Sequence, residues 1–186
     1  MVPRDMVEQA ARGDHDAYAG LVHLSSDRLF AIAYRILRDS YLAEDALQLA
    51  LVTIWDELPR LRDPDKFEAW TYRLIVRAST ALARRERRGG PSIQLLPEEA
   101  EPAGGLDDYR TVAQRDQLER GFRRLTAEQR AALVLQHYVG LSLAEIAEAL
   151  GVPVGTAGSR IHYATRALRA ALEADERSAA AKERLA

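Results

Sequence analysis

There is no cysteine in this chain of 186 residues, which removes disulfides and thiolate chemistry and suits a reducing cytoplasm. Long apolar runs are missing as well: nothing approaches the roughly 20 residues that a membrane-spanning helix needs, so no direct membrane insertion is expected. The opening residues, MVPRDMVEQAARGDHDAY, are polar and broken by charges, and no secretory signal is read there. A surplus of positive charge is lacking too. The formal net charge is −2, which argues against a protein that coats nucleic acid without regard to sequence. The four histidines, His15, His23, His137 and His162, are scattered. They have no metal-ligand spacing, and no glycine-rich phosphate loop follows a strand, so neither an enzyme nor a cofactor is expected.

What is present is an apolar fraction of 47%, enough for a folded core in one ordinary domain or two small ones. Charge is segregated. Residues 77–88 hold Arg77, Arg84, Arg85, Arg87 and Arg88 against Glu86 alone, whereas 89–110 hold Glu98, Glu99, Glu101, Asp107 and Asp108 against Arg110 alone. The second stretch also loses periodicity between Gly89-Gly90-Pro91 and Pro102-Ala103-Gly104-Gly105. That pattern predicts a flexible acidic linker. It divides an all-α chain into a helical domain at residues 1–88, a linker at 89–110, a second helical domain at 111–175 and a tail at 176–186.

The second domain carries the most legible stretch, Leu125 to Leu172. Thr126 with Gln129 and Ser142 with Glu145 both fit the capping box that opens a helix. Leu143, Ile146, Ala147 and Leu150 then repeat at helical spacing until Gly151-Val152-Pro153 ends the helix. Ala157, Ile161, Ala164 and Leu168 line one face of the next helix. Helix, glycine turn, helix is the helix-turn-helix, whose second helix lies in the DNA major groove. Projected at about 100° per residue, the face away from that core carries Thr156, Ser159, His162, Tyr163 and Arg166. Those hydrogen-bonding and basic groups suit phosphates and base edges. An ordinary helical hairpin is the alternative.

In the first domain, residues 14 to 38 are helical by period, with Asp14 as N-cap and a possible break at Ser25-Ser26. The next helix, about Leu42 to Leu58, buries Leu47, Ala50, Leu51, Ile54 and Leu58, with Trp55 between faces. Its opposite side carries Leu49 and Val52 among Asp45, Gln48 and Asp56. A helix apolar on both sides is either deeply buried or contacts a partner, and a chain this short has little left to cover a second face. Asp63-Pro64 opens a third helix by the N-cap and first-position rules. Phe67, Trp70, Thr71, Leu74, Ala78 and Leu82 are placed inward. Tyr72, Arg73, Val76, Thr80, Arg84 and Arg87 are placed on the outer side. An exposed aromatic among arginines suits single-stranded nucleic acid, and equally a solvated basic helix end favoured by the helix dipole.

Three motifs in order carry a resemblance over about Tyr18 to Leu172. They are Ala43-Glu44-Asp45-Ala46-Leu47-Gln48 with Trp55 after it; Phe67-Glu68-Ala69-Trp70-Thr71-Tyr72-Arg73; and Gly151-Val152-Pro153-Val154-Gly155-Thr156-Ala157-Gly158-Ser159-Arg160. Together they resemble the extracytoplasmic-function group of bacterial RNA polymerase sigma factors. The resemblance implies that the chain directs core polymerase to promoters. Asp45, Gln48, Leu49, Val52 and Asp56 would dock on the clamp helices of the polymerase core. Trp70, Tyr72, Arg73, Arg77, Arg84 and Arg87 would hold the melted −10 element. Thr156, Ser159, Arg160, His162, Tyr163 and Arg166 would read the −35 element. An anti-sigma factor is implied as a further partner. The chain departs from the family pattern at Leu49, where an acid is usual, at Arg77 (Asn), at Ala81 (Asp) and at Gly158 (Lys or Arg). A conventional helix-turn-helix regulator that does not bind core polymerase remains the alternative.

Overall fold

The computed structural model describes residues 2–88 and 117–183, with side chains as far as Ala174. The linker at 89–110 and the last residues of the tail, 184–186, lie outside the described residues. Everything described is helix or short connection, with no strand among the described residues, in keeping with the all-α expectation. No helix among them is long and apolar enough to cross a membrane.

The first domain opens with a helix that the sequence reading does not assign, α1 at Arg4–Ala11, which buries Val7 and Ala10. It is tied down at the start of the third long helix. Val2 N–H donates to Glu68 at 3.1 Å, and Arg4 reaches Asp65 at 2.8 Å. After a turn through Gly13 (φ +94) comes α2, His15–Leu37, with Asp14 accepting from the amides of Asp16 and Ala17 as the cap rule expects. No break occurs at Ser25-Ser26. Ser26 instead turns its hydroxyl onto the Val22 carbonyl at 2.7 Å, so the hydroxyl is satisfied within a continuous helix. Helix α3, Ser40–Glu57, is capped by Asp39 onto the Leu42 amide. Asp63 also caps, but onto a 3-10 turn at Pro64–Lys66, so α4 begins one turn later than Asp63-Pro64 suggests and runs Phe67–Arg88. Leu21, Leu29, Ile32, Ile36, Ile54, Leu58 and Ile75 are sealed between α2, α3 and α4, each worth about 1.5–3 kcal/mol of burial before entropy is charged.

The second domain has α5 (residues 117–123 in its described part), α6 at Ala127–Leu133, α7 at Leu143–Leu150 and α8 at Val154–Glu183. Both predicted capping boxes form, each with hydroxyl and amide or carboxylate bonded reciprocally. Helix α6 widens into a π-helical segment at Val134–Val139 before Gly140 stops it in the left-handed region (φ +84). Gly151 does the same for α7 (φ +64), and α8 follows directly. Leu125, Leu133 and Ala164 form the local core with Phe122 and Leu168 packed on it. Ala157 and Ala164 are fully buried, as their spacing predicts.

The two domains share a core. α6 packs on α2 and α4, and α7 lies along α4; Ile146, Ala147 and Ala149 of α7 join the same buried cluster as Tyr72, Ile75 and Val76 of α4. This corrects the outer face assigned to α4. Tyr72 and Val76 are buried, and Thr80 and Arg73 are half-covered. The helix is apolar enough on two sides to be buried on two sides, once by its own domain and once by the second.

Candidate partner and nucleic-acid interfaces

Helix α3 presents the first surface. Its inner side is built of small residues: Ala43, Ala46 and Ala50 are at most 1% exposed, and Ile54 anchors the far end. Alanines at that spacing let α3 lie close to its neighbours and push bulk to the other side. Leu49 is 51% and Val52 62% exposed, with Asp45, Gln48 and Asp56 also in solvent. All five predicted docking residues thus stand free on one helix, and no described element covers Leu49 or Val52. Two such side chains left in water on one helix face make it a candidate partner surface. Trp55 is not part of it. Its ring stacks on His15 at 4.9 Å and meets Tyr18 edge-on at 4.7 Å, while the Tyr18 hydroxyl donates to the Leu51 carbonyl at 2.7 Å. Beside Leu49 a shallow groove of about 470 Å³ runs between α3 and α4, floored by Leu74, Ala78 and Leu82 and edged by Arg77 and Arg85.

Helix α4 holds the second set, and it is not uniformly open. Trp70 is buried against Phe67, with ring centres 6.1 Å apart. Tyr72 is buried with the Arg28 guanidinium 5.5 Å from its ring centre. That burial raises the phenol's pKa above its ordinary value, against an opposing pull from Arg28. Arg73 forms an ion pair with Glu148 of α7. Arg84 pairs with Glu128 of α6 at 3.0 Å. Arg77 and Arg87 are exposed. Burial alone would raise the Glu128 carboxyl, but its backbone amide and Arg84 outweigh that and leave it below the ordinary carboxylate value.

The third surface is the free side of α8. Ser159, His162, Tyr163 and Arg166 are exposed, and Thr156 and Arg160 half-buried. The Ser159 hydroxyl donates to the Thr156 carbonyl at 3.0 Å, and His162 meets Tyr163 edge-on at 5.6 Å. All six therefore fall on or beside one face of a helix whose other face is fixed by α6 and α7. Gly158 sits in that helix with room to spare: a Cβ there would meet only the methyls of Leu143, at 3.8 and 3.9 Å.

A group of side chains absent from the sequence reading joins the two domains. Arg38 Nε donates to Glu119 at 2.8 Å. The Arg35 guanidinium lies 3.9 Å from the centre of the Tyr138 ring. Arg130 donates across the boundary to the Ile36 carbonyl and within its own domain to Leu125 at 2.9 Å. Burial, with Arg38 nearby, lowers Arg130 to about 10. Arg28 and Arg35 stand seven residues apart on α2, and Arg38 follows directly at its C-cap. A scan for polar stripes, as well as apolar ones, brings out that pattern.

Known proteins place this chain in one family. Residues 21–89 match Sigma-70 region 2, and residues 115–168 match Sigma-70, region 4. The ECF RNA polymerase sigma factor SigW of Bacillus subtilis is 30% identical over 185 residues, covering 91% of this chain and 96% of that one. Among solved structures, CnrH in complex with the cytosolic domain of CnrY superposes with a TM-score of 0.64 at 27% identity, over 94% of this chain and 99% of that one. The sigma factor RpoE of Bartonella quintana, solved with the anti-sigma factor NepR, gives 0.66 at 23% identity over 85% and 98% of the two chains, a likeness of fold. The chain belongs to the sigma factors of the extracytoplasmic-function group, and it directs RNA polymerase core to promoters rather than acting as a free-standing helix-turn-helix regulator.

Proposed function

We propose that the three surfaces divide the work of promoter-specific initiation as follows. Asp45, Gln48, Leu49, Val52 and Asp56 dock on the clamp helices of core polymerase. Trp70, Tyr72, Arg73, Arg77, Arg84 and Arg87 hold the single-stranded −10 element, aromatic faces stacking on bases and guanidinium groups neutralising phosphates. Thr156, Ser159, Arg160, His162, Tyr163 and Arg166 read the −35 duplex in the major groove. The domain boundaries are those of the sequence, 1–88 and 111–175, with 89–110 as linker. The protein performs no catalysis of its own and works in the cytoplasm, where polymerase is. An anti-sigma factor restrains it, a reading supported by the complex in which its structural neighbour RpoE was solved.

The observation that carries the docking assignment is the pair Leu49 and Val52, more than half exposed on a helix whose other side is packed tight by alanine. Leu49→Lys with Val52→Lys places two charges in that patch, opposite in sign to the acid usual at position 49 in the family, without touching the core. The double variant is expected to fold, to lose co-purification with core polymerase and to lose run-off transcription by at least tenfold. Retention of both activities would sink the assignment.

A further inference from the structure

Two exposed apolar side chains on the second domain belong to none of the three surfaces. Leu143, the first residue of α7, is 43% exposed, and Val154, the first residue of α8, is 49% exposed. They flank one spot. The Leu143 methyls lie 3.8 and 3.9 Å from where a Cβ of residue Gly158 would stand. Val154 lies four residues before Gly158, hence one turn away on the same side of α8. With only a hydrogen at Gly158, no side chain from that position roofs over either apolar group. No charge interrupts the patch either: from Ala149 to Ser159 the chain carries no ionisable side chain. Glu145, the acid nearest to Leu143 in sequence, is turned onto the amide and hydroxyl of Ser142 at 2.8 and 2.6 Å.

We propose that Leu143 and Val154 form an apolar reader of thymine methyl groups, so that the leading end of α8 selects T·A pairs in the −35 element by contact rather than by hydrogen bonding. This rests on the reading of α8 as the −35 helix. In a helix-turn-helix the N-terminal residues of the second helix reach the base edges while the first helix crosses the backbone. The patch at the first turn of α8 therefore stands at the floor of the major groove. The chemistry on offer there is limited. Bidentate recognition of guanine takes Arg or Lys, and that of adenine takes Asn or Gln; none of these stands between Ala149 and Ser159. Thr156 and Ser159 bond to either kind of base and discriminate little. The thymine C5 methyl is the apolar group that the groove displays, and setting it against Leu143 or Val154 takes apolar surface of both partners out of water. The patch is continuous with Ser159 and His162 along α8, which ties it to DNA rather than to a protein. His162, Tyr163 and Arg166, further along the helix, then set affinity and register, and the apolar pair sets base choice.

The probe is duplex DNA in which single thymines are replaced by deoxyuridine. That exchange removes the C5 methyl, keeps every hydrogen-bonding group of the base and leaves the protein untouched. The full chain with core polymerase first selects promoter duplexes from a random-sequence pool, and each thymine of the selected upstream element is then exchanged in turn. Competition binding is expected to show a loss of about fourfold per contacted methyl, the scale of one buried CH2. In L143A/V154A the same exchanges should change nothing, with association to core polymerase intact. Selection of an upstream element without thymine, or equal binding of thymine and deoxyuridine duplexes at every position, overturns the proposal. So does discrimination that persists in L143A/V154A. A variant that loses core polymerase instead of thymine preference also overturns it, since the patch then faces protein. A separate arm tests the underlying reading with Tyr163→Ala and Arg166→Ala together. If that variant binds the selected duplexes as tightly as the native chain, α8 is not the −35 reader and the methyl reader fails with it. If it binds more weakly while deoxyuridine changes nothing, only the methyl reader fails.

Discussion

Gly158 gives the sharpest test of α8 as a DNA reader. It lies within the helix Val154–Glu183, away from either end, and its φ is not in the left-handed region. A Cβ added there meets only Leu143 methyls at 3.8 and 3.9 Å, ordinary contact distances. Nothing in the packing requires glycine. Gly158→Ala should therefore recover the helix-propensity difference of about 0.8–1.0 kcal/mol, with a few tenths more from the new contact with Leu143. For a chain of 186 residues whose two domains share a core, that is a rise in melting temperature of about 2–4 °C. Gly158→Arg adds a cation beside Ser159 and His162. If the side chain reaches a phosphate, the slope of log affinity against log salt for −35 duplex should steepen by about 0.9. Arg166→Ala should flatten it by a similar amount. Circular dichroism melts and fluorescence anisotropy over a salt series read both effects. A fall in stability for Gly158→Ala would mean that the backbone there needs glycine after all. An unchanged salt slope in both arginine experiments would mean that this face does not meet DNA.

Two further outcomes follow from the cap that opens α7 and the turn that ends it. Gly151 sits at φ +64 with nothing within 4 Å of where a Cβ would be, so Gly151→Ala costs conformation alone, about 1–2 kcal/mol. The urea midpoint should fall, the opposite sign to Gly158→Ala seven residues away. The Ser142 hydroxyl and amide hold Glu145 below the ordinary 4.5. A carboxyl with a depressed folded pKa stabilises fully above its unfolded value and loses that contribution as pH falls through the folded one. Thermal stability should accordingly decline as pH drops below about 4.5 in the native chain and decline less in Glu145→Gln, which keeps the capping box with a neutral amide. Equal pH dependence in the two would refute the assignment.

Local rules carried the reading a long way because much of this fold is locally specified. Asp14, Thr126 and Ser142 all cap as their positions predict, and Gly151 turns as a glycine before Val-Pro should. The exposed pair Leu49 and Val52 was legible for a related reason: a helix has a fixed angular period, and two bulky residues opposite a row of alanines cannot both turn inward. Helix α1 escaped because eight residues give too few repeats for a period to register, and its anchors, Glu68 and Asp65, lie some sixty residues away. The 3-10 turn before α4 escaped because Asp-Pro opens either kind of helix equally well.

The outer face of α4 escaped for a deeper reason, and it bears on the mechanism. Tyr72, Arg73, Val76, Thr80 and Arg84 read as a wet nucleic-acid surface because amphipathic patterning reports polarity, and the surface is polar in part. In this structure the apolar side of α7 covers Tyr72 and Val76, while Arg73 and Arg84 pair with Glu148 and Glu128 at the rim of the contact. The same residues satisfy both readings: guanidinium groups donate to carboxylate or phosphate alike, and a tyrosine ring packs against protein or base with similar ease. Amphipathic patterning therefore reports that this side of α4 is partly polar, but not which molecule meets it.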